Sequence, residues 1–196
     1  MRSILPVGFL IASAVVVSGQ DKPLLFPLRD VVVQSQLATS RGGKEVTDTS
    51  YLVSERKVRV APKADDMYVL IDFQARIMIN VYPGQPTTYM SSYLGDEPEP
   101  AYARTGEKER IAGYDCAVWQ APATEAKNPM AAFRGMTATY SLRTTLCVTA
   151  DGVTLRTIND INFHGQRTRT VSDAVKVVYG PQDPSMFRLP TGAVRK

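Results

Sequence analysis

Residues 144 to 156 read TTLCVTADGVTLR, with an Asp-Gly pair, Asp151-Gly152, between two runs in which apolar and polar residues alternate. This is the strongest short-range signal for a β-hairpin, because a type I′ turn needs positive φ at both central residues and Asp-Gly accepts it. The flanking runs reach from Thr137 to Thr149 and from Val153 to Phe163. Tyr140, Leu142, Leu146 and Val148 fall on one face of the first, and Val153, Leu155, Ile161 and Phe163 align on the second. Period two sends Cys147 to the face opposite Leu146 and Val148, away from the main apolar side.

The alternation continues in both directions. His164-Gly165 turns the chain into a strand from Gln166 to Tyr179, and a proline-rich tail, Gly180 to Phe187, closes with Leu189-Pro190. Towards the N-terminus, Leu28 to Thr39 places Val31, Val33 and Leu37 on one face. Arg41-Gly42-Gly43-Lys44 then turns into a strand from Val46 to Val60 that ends at Pro62. Met67 to Phe73 and Ile77 to Tyr82 flank a tight turn at Gln74-Ala75-Arg76. On that spacing Val69, Ile71 and Phe73 share a face with Ile77, Ile79 and Val81. Thr88 to Leu94 is a short strand, Gly95 to Pro100 an acidic loop, and Thr105 to Ile111 and Cys116 to Ala121 two strands around residues 112–115. Only Ala123 to Arg134 has helical composition, and with Pro129 it reads as a short helix from about Asn128 or as two turns joined there. The expected fold is mainly β: a curled antiparallel meander forming an unclosed half-barrel of nine or ten strands, with one or two short helices.

The chain opens MRSILPVGFLIASAVVVSGQ, a single arginine followed by an uncharged run from Ile4 to Gly19 that ends in small residues. A membrane span needs roughly 20 apolar residues without such a finish. Residues 1–19 therefore read as a signal peptide cleaved after Gly19 or Ala14, leaving one β domain over residues 20–196 in the periplasm. Net charge is +4 and mean hydropathy −0.14. The basic residues, among them Arg56, Arg59, Arg104, Arg110, Arg167 and Arg169, are spread along the chain with acids between, which argues against a nucleic-acid partner.

Two cysteines in a chain bound for an oxidising compartment read as a Cys116–Cys147 disulfide. Metal binding and thiol catalysis are the other uses of a cysteine, but two isolated cysteines and the single His164 fall short of a tetrahedral zinc set. His164 sits at a turn without an orienting partner. The acids cluster only in loops, at Asp65-Asp66 and Asp96-Glu97-Glu99. With no nucleophile elbow, metalloprotease helix, phosphate loop or dinucleotide fingerprint, the sequence reads as neither an enzyme nor a cofactor protein. What remains is the apolar face: Val69, Ile71, Phe73, Met78, Ile79, Trp119, Tyr140 and Leu142 are the candidate ligand-binding residues.

The runs YLVSERKVRVAP and MYVLIDFQARIMINVYPGQPTTYM, with RIAGYDCAVW and YGPQDPSMFRLP, resemble the LolA/LolB-like superfamily of envelope proteins, and look closest to its DUF4412-type branch. The resemblance extends from about Val31 to Pro190. It implies an open antiparallel half-barrel over short helices, whose hollow in several members holds acyl chains or lipoproteins. This chain departs from the carriers in three ways. Pro23 and Pro27 stand where they have an amphipathic helix, their lid-pinning arginine has no single counterpart among Glu55, Arg56 and Arg59, and the cysteine pair with its Asp-Gly hairpin is extra. The expected function is that of an exported protein holding a lipid, acyl chain or lipidated peptide. The alternative is a protein-interaction module in envelope assembly or stress sensing.

Overall fold

The structure is a computed structural model that describes residues 21–39, 44–63, 67–95, 100–127, 139–163 and 165–196. The expected leader, the helix from Asn128, His164 and both acidic clusters lie outside the described residues. The strands are β1 (Val31–Thr39), β2 (Lys44–Leu52), β3 (Lys57–Pro62), β4 (Tyr68–Asp72), β5 (Ile77–Tyr82), β6 (Thr88–Tyr93), β7 (Ala103–Ile111), β8 (Tyr114–Gln120), β9 (Thr124–Lys127), β10 (Thr139–Val148), β11 (Thr154–Phe163), β12 (Gln166–Tyr179) and β13 (Val194–Arg195). A 3₁₀ turn spans Pro184–Phe187.

All thirteen strands belong to one sheet, ordered β13-β6-β5-β4-β3-β2-β1-β12-β11-β10-β8-β7, with β9 beside β10. The expected class, a curled and unclosed antiparallel sheet with almost no helix, is the observed one. The sheet consists of two meandering arms joined where β12 returns alongside β1, Val31 opposite Tyr179 and Thr39 opposite Thr170. Asp30 clamps that seam. Its carboxylate accepts the Val53 N–H at 2.7 Å and the Gln182 N–H at 3.2 Å, and its carbonyl accepts the Gly180 N–H at 3.1 Å.

Three details differ from the sequence reading, each for a turn-level reason. First, the expected strand from Val46 to Val60 is two, β2 and β3, folded at Val53–Arg56 with Arg56 at φ 50°. No glycine marks this turn, because an arginine takes the left-handed position. Together with the short β9 and β13, the split raises the strand count above the nine or ten expected. Second, Asp151-Gly152 does not form a type I′ turn. Only Gly152 has positive φ (88°), and Thr149 and Val153 close a three-residue loop, a type I turn followed by a left-handed glycine. The two-residue turn with positive φ at both positions is Ala112–Gly113.

Third, the turn between β4 and β5 holds four residues, Phe73 to Arg76, rather than three. Ile71 therefore faces Met78, Leu70 faces Ile79 and Tyr68 faces Val81. Moving the turn by one residue sends every side chain of one strand to the other face. Ile77, Ile79 and Val81 thus lie on the face opposite Val69 and Ile71.

Cross-strand partners share a face. Stepping through Val31, Tyr51, Val58, Ile71 and Met78 in one arm, and Leu37, Ser172, Thr157, Leu146 and Trp119 in the other, traces one face along each arm, with register shifts between Gln34 and Ser35 at the seam and between Cys147 and Val148 in β10. The segment before β1 lies across this face as a strap. Leu25 packs with Trp119, Leu146 and Val148 of one arm. Its neighbour Phe26 meets the rings of Tyr51 and Phe73 in the other edge-on, at 5.7 and 5.6 Å. Two adjacent residues can touch both arms only because the sheet curls towards them.

The Cys116–Cys147 disulfide is formed, with Cα atoms 5.4 Å apart. Cys147 does point away from Leu146, but into no outer surface. It is 1% exposed and belongs to the larger core cluster with Val31, Val33, Val153 and Leu155. The main apolar side of this hairpin is therefore the cysteine side, and the pair β8–β10 is buried on both faces. Closing a loop across 31 positions is worth roughly 3 to 4 kcal/mol in the chain-entropy model.

The strap also explains Gly152. A Cβ there would stand 2.4 Å from the Phe26 carbonyl oxygen, so only glycine lets strap and turn touch. Gly152→Ala should lose about 3 kcal/mol in urea unfolding, through strain at positive φ plus displacement of the strap. Gly165→Ala, also at positive φ but with open space around its Cβ, should lose about 1 kcal/mol.

Candidate functional site

The strap face between β3 and β6 carries an apolar patch. Val58 opposes Ile71, Val60 opposes Val69, and Ile71 in turn opposes Met78. Val58 is buried, while Val60, Val69, Ile71 and Met78 are half-buried, and Met90 at the rim is 50% exposed. The β-branched residues suit the pleat, and methionine supplies an adaptable surface. Phe26 and Tyr51 close one end, where burial pushes the Tyr51 phenol up to about 12, a sign of apolar surroundings.

The sequence-derived candidates divide accordingly. Val69, Ile71 and Met78 come together in this patch, and Phe73 stands at its end against Phe26. Ile79 lies on the opposite face, beside Leu70. Tyr140 and Leu142 sit on the strap face opposite Phe163 and Ile161, but in the other arm, six strands from β4. Trp119 is 3% exposed and serves as core under Leu25. The sequence reading misses Val58 and Val60, because it merges β3 into the end of a longer strand, and Phe26, although the apolar run Leu24-Leu25-Phe26 between two prolines is there to be seen.

At the end of the hollow the strap is fixed by a polar network. The Thr149 hydroxyl donates to Asp151 at 2.6 Å, the Arg29 guanidinium reaches the same carboxylate at 3.2 Å, and Arg29 lies over the Tyr179 ring at 3.8 Å. Partial burial alone would raise Asp151, but the hydrogen bonds from Thr149, Tyr179 and Arg29 outweigh it and hold the carboxyl below its usual range. Burial, followed by the hydrogen bond to Asp151, raises the Tyr179 phenol. These groups anchor the strap and turn. Among the described residues no three histidines, cysteines or acids gather as a metal site.

An uncharacterized conserved protein from Thermus thermophilus has the same architecture, with a TM-score of 0.52 over 86% of this chain and 91% of its own, at 12% identity. That likeness is one of fold. A domain assigned to outer-membrane lipoprotein sorting from Vibrio parahaemolyticus aligns over 81% of this chain and 89% of its own at 9% identity, but with a TM-score of 0.29. A superposition that loose carries no argument. No protein-family model and no curated protein matches the chain, so the likeness to the DUF4412-type branch rests on sequence motifs alone.

The anchoring network makes a pH prediction. Because the Asp151 pKa is depressed on folding, its contribution is complete above the unfolded value of about 3.9 and disappears as pH falls through the folded value. Asp151→Asn should cost about 1 kcal/mol in urea unfolding at pH 7, a modest figure because the carboxylate is partly exposed. At pH 3 the gap between variant and parent should be markedly smaller.

Proposed function

We propose that the protein is an exported, non-enzymatic binding protein that holds an apolar or amphipathic envelope ligand, such as a lipid, acyl chain or lipidated peptide, on the strap face. The observation that carries this reading is the half-buried patch of Val60, Val69, Ile71 and Met78, a run of aliphatic surface that continues from buried Val58 to a half-exposed methionine at the rim. Concave, mostly apolar surfaces are where such ligands bind. The disulfide and the leader-like N-terminal sequence support an oxidising compartment outside the cytoplasm, the periplasm.

A second reading, a protein-interaction module, is favoured by the open edge of β6. There β13 pairs with Thr88 and Tyr89, which among the described residues leaves Met90 to Ser92 as an edge that an extended partner could extend.

Native mass spectrometry of protein purified without detergent should reveal a co-purifying lipid, and a fluorescent acyl probe should bind. Met78→Asp, placing a charge on the patch, should weaken probe binding at least tenfold. Ile77→Asp, on the opposite face and 36% exposed, should leave it unchanged. Clean apo protein with no probe binding rejects the carrier, and one dominant partner in crosslinking of the intact envelope would then support the module.

A further inference from the structure

On the face away from the strap, β10, β11 and β12 line up two polar rows. Arg143 opposes Asp160, and Asp160 opposes Arg169. In the next row Glu125 of β9 opposes Ser141, Ser141 opposes Asn162, and Asn162 opposes Arg167. The rows line an open depression of about 480 Å³. Strand spacing puts Arg143 about 10 Å from Arg169, and Arg167 about 7 Å from Arg169 along the strand. Three guanidinium groups thus share these rows with two carboxylates, Asp160, engaged by Arg169 at 3.6 Å, and the exposed Glu125. Arg143 and Arg167 have no acidic partner among the described residues.

This sets the rows apart from the paired basic positions on the sheet. Arg156 is held between Asp173 and Glu109, Lys57 between Glu55 and Asp72, and Lys63 and Arg110 each pair with an aspartate. Concentrating like charge across strands is unfavourable without a compensating anion. Guanidinium groups bind phosphate bidentately, and Ser141 and Asn162 add polar groups at the same level. The depression is open, and its arginines are exposed on long arms, a form suited to a flat array of anions.

We propose that this face docks the protein on the surface of an anionic phospholipid bilayer through Arg143, Arg167 and Arg169. On β10 the patch lies on the face opposite Leu142 and Leu146. The proposal does not depend on the hollow holding a lipid.

Vesicle co-sedimentation tests it. The full chain should bind vesicles containing 30 mol% phosphatidylglycerol and not those of pure phosphatidylcholine, and should be released in 1 M salt, where the screening length is about 3 Å. Arg143→Gln/Arg167→Gln should bind about 30-fold more weakly, at roughly fivefold per arginine. Arg110→Gln, at a distant hairpin and paired with Asp115, should bind like the parent. Asp160→Asn acts with the opposite sign: removing one of the two acids of the patch should tighten binding about fivefold, so the outcome does not hinge on a loss. Equal binding to both vesicle types, or unchanged affinity in the double variant, overturns the proposal. So does a patch that takes up inorganic phosphate in solution, lost in the double variant, while the vesicles go unbound.

Discussion

The pairing of β1 with β12 holds the molecule together. Every other long pairing joins strands that are close in sequence, so each arm can assemble from local hairpins. The seam joins Val31 to Tyr179 across nearly the whole chain, and the entropy of that closure must be overcome by contacts formed there. Val31 and Val33 are almost fully buried, and Asp30 adds hydrogen bonds to both arms at once. A charged acceptor shared by two backbone N–H groups is among the stronger links available to a sheet. Without the seam there would be two separate meanders, each with an exposed edge where the other now lies.

The seam also places the strap. Because the chain enters β1 at the centre of the sheet, the residues before it must cross one face, and the curl lets Leu25 and Phe26 reach one arm each. This is how Leu25 and Phe26 close one end of the hollow. The apolar patch between β3 and β6 stays half-buried, since the strap covers only the end near Tyr51 and Phe73. The disulfide ties β8 to β10 within the larger core cluster, which also holds Val31 and Val33.

How much of this is legible in the sequence follows from what alternation does and does not encode. Period two locates most strands and the Asp151-Gly152 turn, and compartment logic pairs the cysteines. Turns without a glycine are harder to see: Arg56 and Arg76 adopt left-handed conformations that composition does not announce. One consequence is the β3 boundary, and with it Val58 and Val60. Another is the length of the β4–β5 turn, whose parity decides that Ile79 leaves the face of Ile71 while Met78 joins it. The arginines of β10 and β12 look scattered along the chain because only register reveals Arg143 and Arg169 as the two neighbours of Asp160.

The tail after β12 adds a mechanical element to this design. From Gly180, beside Asp30, it passes the outer face of β3 and β4, where Met186 and Arg188 line a depression with Arg59 and Tyr68, buries Phe187, and ends alongside β6. It spans the whole arm from its root at the seam to its free margin, on the side away from the strap. In that position it works as a bowstring. Cutting it would bare the edge of β6 at Thr88 and Tyr89, so the tail links the seam to the far margin of the sheet.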